Sequence, residues 1–453
     1  MILTLFYALQ SCLIVRQLPT IATSKRDAVG YEEKSTLAIS NNNISERVIQ
    51  DLIMTAAPVC YRAKWLVPVD QPPLEGGLLT VAAGRIVAVG ENLSGQPPID
   101  LGDAALAPGL VNAHTHLEFS DIAQPLGEAG MSFPAWIQQV VGRRLAAGEL
   151  LEAQKNAAIS AGIKESQTQG IAALGEITTV PYSPDMYAAA DGVVSCLELI
   201  GLAPERGAEL IAAAQVHLQQ ADANGKRAGL SPHAPYSVHR DVVSAAAQLS
   251  AASKTPLAMH LAESREELEL LDRQTGPFRE LLEKFGVWRD DVFAAGTRPL
   301  DYLRRLSEAQ HALVIHGNYL DDEELRYVAE RPTSLTLVYC PRTHQYFGHD
   351  RHPLAKLYQW GAALAIGTDS RASNPDLALW RDVRLAAATF PEIPPSDFLR
   401  MVTITPAIAL GIESTYGSLT VGKAAPLVTF AVPANVTQSA LPEAMLAVEP
   451  QPV

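Results

Sequence analysis

Eight short apolar runs, separated by stretches with helical character, constrain this chain more than any other feature. They fall at 110–116, 171–177, 193–201, 228–235, 256–263, 312–319, 335–342 and 363–370. Most are too continuously apolar to have one face in water, as in "PLAMHL" and "LTLVYC", so they read as strands covered on both sides. The Ala-rich segments 204–224, 239–253, 321–330 and 376–388 read as helices between them. Strands alternating with helices imply a parallel sheet, and eight such units predict a (β/α)8 barrel. An open, doubly wound sheet would gather its polar residues near one switch point. Here nearly every run carries a His, Asp, Glu or Arg in its last positions, where a barrel builds its active site, and the barrel is preferred.

The flanks have another texture. Residues 65–107 and 416–433 are short β segments punctuated by Gly and Pro, such as "GRIVAVG" and "APLVTFAVP". These distant ends are expected to pair into one small β-sandwich: 54–107 as its first part, 108–407 as the barrel, and 408–453 as its second part with a C-terminal tail. The start, "MILTLFYALQSCLIV", is too short to span a bilayer comfortably and lacks a basic segment before it. "MTAAPVCYRAKWLVPVD", from Met54, reads like a domain start, so residues 1–53 are expected to lie outside the fold, as from a misassigned start codon.

Composition excludes several classes of function. With 49 acidic against 35 basic residues the net charge is -14, which opposes a general nucleic-acid or anionic-membrane binder. Mean hydropathy of +0.07 suits a soluble globular protein, and the expected location is the cytoplasm. Cys12, Cys60, Cys196 and Cys340 are scattered and form no CxxC pair, so neither a disulfide framework nor a cysteine zinc site is expected. Any metal must be held by His and carboxylates.

Such residues gather at the strand ends. The first run closes on His114 and His116, two apart and therefore on one face of a strand, with Glu118 beyond them. The fifth run offers His260 and Glu263, the sixth His316 and the eighth Asp369. Each has an ordinary reading alone: a surface HxH pair, a core histidine, a helix-capping aspartate, a solvated glutamate at the start of "ESREELELL". Together they demand a shared reason, because burying so many ionisable groups unpaired is very costly. Neutral imidazole and carboxylate suit zinc or ferrous iron, and three or four protein ligands leave room for water.

"APGLVNAHTH", "MHLAES", "VIHGNYL", "YCPRTH" and "IGTDS", in this order, resemble the amidohydrolase superfamily, especially its deaminase and chlorohydrolase branch. "TPAIALGIESTYGSLTVGKAA" resembles that branch's return to its sandwich, and the likeness covers roughly 56–433. The resemblance implies that His114, His116, His260 and Asp369 hold one divalent metal, Zn2+ first and Fe2+ second. It implies Glu263 as proton shuttle, His316 as hydrogen-bond partner of the attacking water or leaving group, and Asp369 as base as well as ligand. The fourth run ends "SPHAPYS" without a lysine, which opposes the two-metal branch.

Substrate contacts are suggested by further strand-end residues. Relatives of this type often bind a sugar hydroxyl at the position of Glu118, and His233 matches a base-contacting histidine. Glu176 ends the second strand. Arg342 and Arg371 are candidates to clamp a carboxylate. "GTDSRASNPDLALWRDVR" resembles the matching stretch of aminodeoxyfutalosine and methylthioadenosine/S-adenosylhomocysteine deaminases. Two departures stand out: Thr343-His344 where a Ser-Asn pair is usual, and "GKAAPLV" without its acidic residue. The long insertion 275–303 is expected to pack as helix, with a substrate lid as the alternative. The function expected is hydrolytic deamination of an adenine-type nucleoside such as aminodeoxyfutalosine, by a homodimer whose partner is the small-molecule substrate. Cleavage of another C–N or C–Cl bond, as in an imidazolone or triazine, is the alternative, followed by an inactive scaffold.

Overall fold

The computed structural model describes residues 56–146, 151–183, 186–187 and 190–453. The expected extension 1–53 lies outside these residues. The eight apolar runs form one sheet of eight parallel strands in chain order: Leu110–Thr115, Ile171–Thr178, Val193–Leu199, Ala228–Pro232, Pro256–Leu261, His311–His316, Leu335–Tyr339 and Ala363–Ile366. The sheet curls until its edges meet. Asp369 N–H donates to the His114 carbonyl at 3.1 Å, and Thr115 bridges Asp369 in parallel. This is the (β/α)8 barrel expected from the sequence.

Closure depends on the last strand approaching the first. A Cβ on Gly367 would lie 2.9 Å from His114 Cβ and 3.1 Å from its backbone N, so only glycine fits this seam. Asn112 fastens the same seam, donating to Thr368 Oγ1 at 2.8 Å and accepting from Thr368 N–H at 3.1 Å. Inside, Val111, Val194, Leu313 and Val338 pack with Leu410 and Ile412, just after the helix Ile404–Ala409, which contacts the first and last strands. Helices Gly207–Ala223, Arg240–Ser253, Asp322–Ala329 and Leu379–Thr389 fall where the sequence predicts them.

Two smaller sheets accompany the barrel. One has four strands, within Val59–Asp100. The other has five, and joins Trp65–Leu66, Leu74–Glu75 and Ala104–Pro108 to Leu427–Ala431 and Gln451–Pro452 near the end of the chain. Leu66, Leu79, Ile86, Leu106 and Leu427 pack together between them. Residues from 427 onward thus complete a sheet begun before residue 108. The insertion forms helices Pro277–Lys284 and Pro299–Leu306, whose Phe278, Leu281, Leu303 and Leu306 enter the main core. Among the described residues, no helix is long and apolar enough to cross a membrane.

Candidate metal centre and active site

The first strand departs from strict alternation at the point that matters. Val111 and Ala113 belong to the inner cluster, so alternation would bring Thr115 inward next. A register shift between Asn112 and Thr115 adds one residue against the second strand, as in a β-bulge. His114 and His116 turn into the barrel mouth instead, and meet His260 there. Ring centroids are 4.8 Å apart for His114–His116, 4.9 Å for His114–His260 and 5.3 Å for His116–His260. One nitrogen from each of the three falls within 4.8 Å of the others. Asp369 Oδ1 lies 3.6 Å from His114 Nε2 and 3.7 Å from His116 Nε2.

The donor chemistry fits a divalent metal. His260 Nδ1 lies 3.0 Å from the His233 carbonyl and donates to it, which leaves Nε2 as a bare lone pair. That lone pair faces His116 Nε2 at 3.2 Å. Both ring nitrogens of His114 and Nδ1 of His116 are buried without a hydrogen-bond partner. Burial lowers His116 and His260 well below the ordinary histidine range, helped by the neighbouring His114, so both are neutral near pH 7. Burial alone would raise Asp369, but His114, 3.6 Å away, and the adjacent histidines hold it well below the usual carboxylate range. Three imidazoles and an ionised carboxylate are a ligand set for zinc or ferrous iron.

Glu263 and His316 stand beside this set, with Oε1 and Nε2 at 3.3 Å. Burial first, then Asp369 and Glu267, push Glu263 well above the carboxylate range, whereas burial lowers His316. Burial therefore favours the protonated carboxyl of Glu263 and the neutral imidazole of His316. Ala262 (φ 52°), His316 (φ 69°) and Asp369 (φ 58°) all occupy the left-handed region, where non-glycine residues are uncommon and tend to mark functional sites. Each is over-determined locally. Glu267 accepts from Ala262 N–H at 2.7 Å and Glu263 N–H at 3.1 Å, and Asn318 donates to the Glu263 carbonyl at 2.9 Å. His352 Nε2 donates to the His316 carbonyl at 2.8 Å.

Glu118 enters a buried charge network. Arg144 reaches it at 2.5 Å and Lys155 at 3.0 Å, and Arg144 also touches Glu198 at 3.3 Å. Burial would raise Glu118, yet Arg144 and Lys155 hold it at about 2. Glu198, with the longer single contact, stays raised because burial outweighs Arg144. His233 Nε2 lies 3.7 Å from Glu198 and its Nδ1 2.6 Å from Ser237 Oγ. Tyr236, three residues on, stacks on Phe278 of the insertion at 4.2 Å, and Phe278 meets Phe133 edge-on. The insertion thus packs as helix and also contributes to an aromatic patch next to His233. Sequence reasoning missed Arg144, Lys155, Glu198 and Tyr236. Only Glu198 carried a signal, as a carboxylate near the end of a strand.

Three nominated substrate contacts are engaged elsewhere. Glu176 is bonded to Thr115 Oγ1 at 2.8 Å and to Leu117 N–H at 2.9 Å, where it braces the turn after the histidine pair. Arg342 is tied to Asp376 at 2.7 Å and Asp382 at 2.8 Å. Arg371 binds the Ile122 carbonyl and Glu165. Both guanidiniums of the expected carboxylate clamp thus pair within the protein and join loops to helices, where buried Asp382 and half-buried Glu165 need counter-charges.

Comparison with known proteins agrees with this geometry. The amidohydrolase family model matches residues 105–448. The chain is 28% identical over 384 residues to the 5-methylthioadenosine/S-adenosylhomocysteine deaminase of Symbiobacterium thermophilum, covering 78% of this chain and 80% of that protein. It is 27% identical over 347 residues to the aminodeoxyfutalosine deaminase of Deinococcus radiodurans, covering 70% and 79%. Among solved structures, Helicobacter pylori aminofutalosine deaminase superposes with a TM-score of 0.74 at 21% identity, covering 87% of this chain and 97% of that one, a likeness of fold.

Proposed function

The chain belongs to the amidohydrolase family, as a hydrolase of non-peptide carbon–nitrogen bonds, and on that premise we propose that it is a metal-dependent deaminase of an adenine-type nucleoside such as aminodeoxyfutalosine. The carrying observation is the Glu263–His316 pair, 3.3 Å apart beside the histidine cluster. The deaminase names of the relatives favour the same substrate class. In this reading His114, His116, His260 and Asp369 hold the metal, zinc first and ferrous iron second. A metal held there would lower the pKa of a water towards neutrality.

The chain's own groups do the rest. Glu263, whose burial favours the protonated form, delivers its proton to a ring nitrogen and makes the amino-bearing carbon electrophilic. Asp369, ionised, accepts the proton of the attacking water and passes it to the amino group, which leaves as ammonia as the C–N bond breaks and the carbonyl forms, the hydroxyl proton returning to Glu263. His316, neutral, hydrogen-bonds the oxygen that develops charge on that carbon. Glu118 faces the sugar and His233 the base, with Glu176, Arg342 and Arg371 given structural roles. The reading takes residues 108–407 as the catalytic barrel and 54–107 with 408–453 as the sandwich, in a cytoplasmic homodimer.

The test is ammonia release from zinc- or iron-loaded protein. The panel spans adenosine, methylthioadenosine, S-adenosylhomocysteine, aminodeoxyfutalosine, cytosine, guanine and chlorinated triazines. Ammonia from an adenine-type nucleoside is expected. Ammonia from none, or chloride release from a triazine alone, would overturn the assignment.

A further inference from the structure

Glu198 is a buried carboxylate that the deaminase reading leaves unused. It stands near the rim end of the third barrel strand, Val193–Leu199, and the next strand, Ala228–Pro232, delivers His233 beside it. The two strands pair with Glu198 against Ser231 and Leu199 against Pro232, and His233 N–H donates to the Leu199 carbonyl at 3.2 Å. The His233 ring lies 4.9 Å from that of His260. Glu198 is thus separated from the histidine cluster by one imidazole.

Its neighbours within the protein account for only one of its two oxygens. Arg144 lies 3.3 Å from Oε2, whereas Oε1 is buried with no hydrogen-bond partner. Glu118, held by the same guanidinium, differs. Arg144 donates to its Oε1, and Lys155 and Thr179 meet its Oε2 at 3.0 and 3.3 Å. A carboxylate serving only as a counter-charge would share both oxygens as Glu118 does, since an unmet buried acceptor is costly. The free oxygen of Glu198 instead faces His233 Nε2 at 3.7 Å. His233 Nδ1 is engaged by Ser237 Oγ at 2.6 Å, so Nε2 is the nitrogen left for a ligand. The 3.7 Å gap is too long for a hydrogen bond, yet one oxygen atom set about 2.8 Å from each side would reach both. A hydroxyl carries one donor and two acceptor lone pairs, so it meets both atoms whichever of them holds the proton; an ether oxygen or a methylene cannot.

We propose that Glu198 is a specificity-determining residue that binds, together with His233, the 2′-hydroxyl of the substrate's ribose. The inference rests on the deaminase reading, in which His233 faces the base and Glu118 the sugar. The 2′-hydroxyl is the sugar hydroxyl nearest the base, where those two contacts adjoin. Arg144 touches both carboxylates and so fixes their spacing. The substrate class is thereby narrowed to ribonucleosides, with 2′-deoxynucleosides disfavoured.

The experiment compares ammonia release from zinc-loaded protein with adenosine, 2′-deoxyadenosine and 3′-deoxyadenosine. In the wild type, kcat/KM for 2′-deoxyadenosine should fall about 10–100-fold below that for adenosine, because the carboxyl and the imidazole lose their shared partner. Glu198→Met should bring these two substrates level while leaving the 3′-deoxyadenosine ratio as in the wild type. A merely structural role would weaken all three substrates alike. Glu198→Asp keeps a charge for Arg144 but withdraws the carboxyl by one methylene. It is the safer variant for folding and should lose most of the same discrimination. Equal kcat/KM for adenosine and 2′-deoxyadenosine in the wild type overturns the proposal and leaves the deaminase reading standing. So does discrimination that survives intact in both variants. Ammonia from none of the three also overturns this assignment, and the wider substrate panel then decides the deaminase reading separately.

Discussion

Replacing Glu267 by Gln tests the bracing of the proton donor most directly. Glu267 is fully buried, and its two oxygens accept from the successive amides of Ala262 and Glu263 at 2.7 and 3.1 Å. Glutamine keeps the shape but sets an NH2 group against one of those N–H donors. One bond is lost and a buried donor is left unmet, at about 1–3 kcal/mol. The pH dependence is the sharper signature. Burial raises the Glu267 carboxyl from 4.5 to about 7, against the pull of the two amides. Because the folded-state pKa is the higher one, this group's contribution is complete below pH 4.5 and is lost as pH rises through 7. Between pH 6 and pH 8 the wild type should lose about 1.3 kcal/mol that the variant, with nothing to titrate there, retains. Urea denaturation of both proteins across that window, above the pI of 5.3, measures the difference. Parallel stability profiles would refute the reasoning, because Glu267 would then not carry the proton assigned to it.

The remaining predictions concern the site itself. Glu263→Gln should bind metal normally yet lose about 10²–10⁴-fold in kcat; wild-type turnover would remove it as the proton donor. His116→Ala and Asp369→Ala should lose catalytic metal together with activity, read by metal analysis. Arg144→Met leaves the carboxylates of Glu118 and Glu198 buried beside each other with only Lys155 in support. It should cost about 3–5 kcal/mol in denaturation and raise KM for nucleosides; unchanged stability would mean that the network is solvated. Arg342→Ala should destabilise by a similar amount by stranding buried Asp382. It should leave the KM ratio of carboxylate-bearing to neutral nucleosides unchanged, and a selective rise for the former would restore its role as a clamp.

The architecture was legible because its cause is local and repeated. Eight runs apolar enough to be buried on both faces, with helices between them, leave few alternatives to a barrel, and the observed strands begin within a residue of their expected starts. The ligand candidates were legible for a related reason: a barrel collects the ends of distant strands at one rim, so histidines at those ends must meet. The partners of Arg342 and Arg371 were not legible, because a guanidinium near a strand end looks the same whether it faces a substrate or a carboxylate such as Asp382 or Glu165 elsewhere in the chain. Arg144 and Lys155 were invisible, since on a helical segment each reads as a solvated charge until its partner is known.

By itself, the sequence determined which residues are buried, how the strands follow one another and which types of group line the rim. Those properties follow from side-chain transfer free energy and from chain order. Tertiary structure decided where the groups point. Alternation continued from Val111 and Ala113 would have turned the His114–His116 pair away from the barrel, and one extra residue against the second strand brings it inward. Glu267 and His352 hold the backbone at Ala262 and His316, two left-handed positions that no local preference would select. A bulge and a left-handed residue are unfavourable alone and persist only where buried partners from elsewhere in the chain stabilise them, which is why the direction of the candidate site's side chains belongs to the fold.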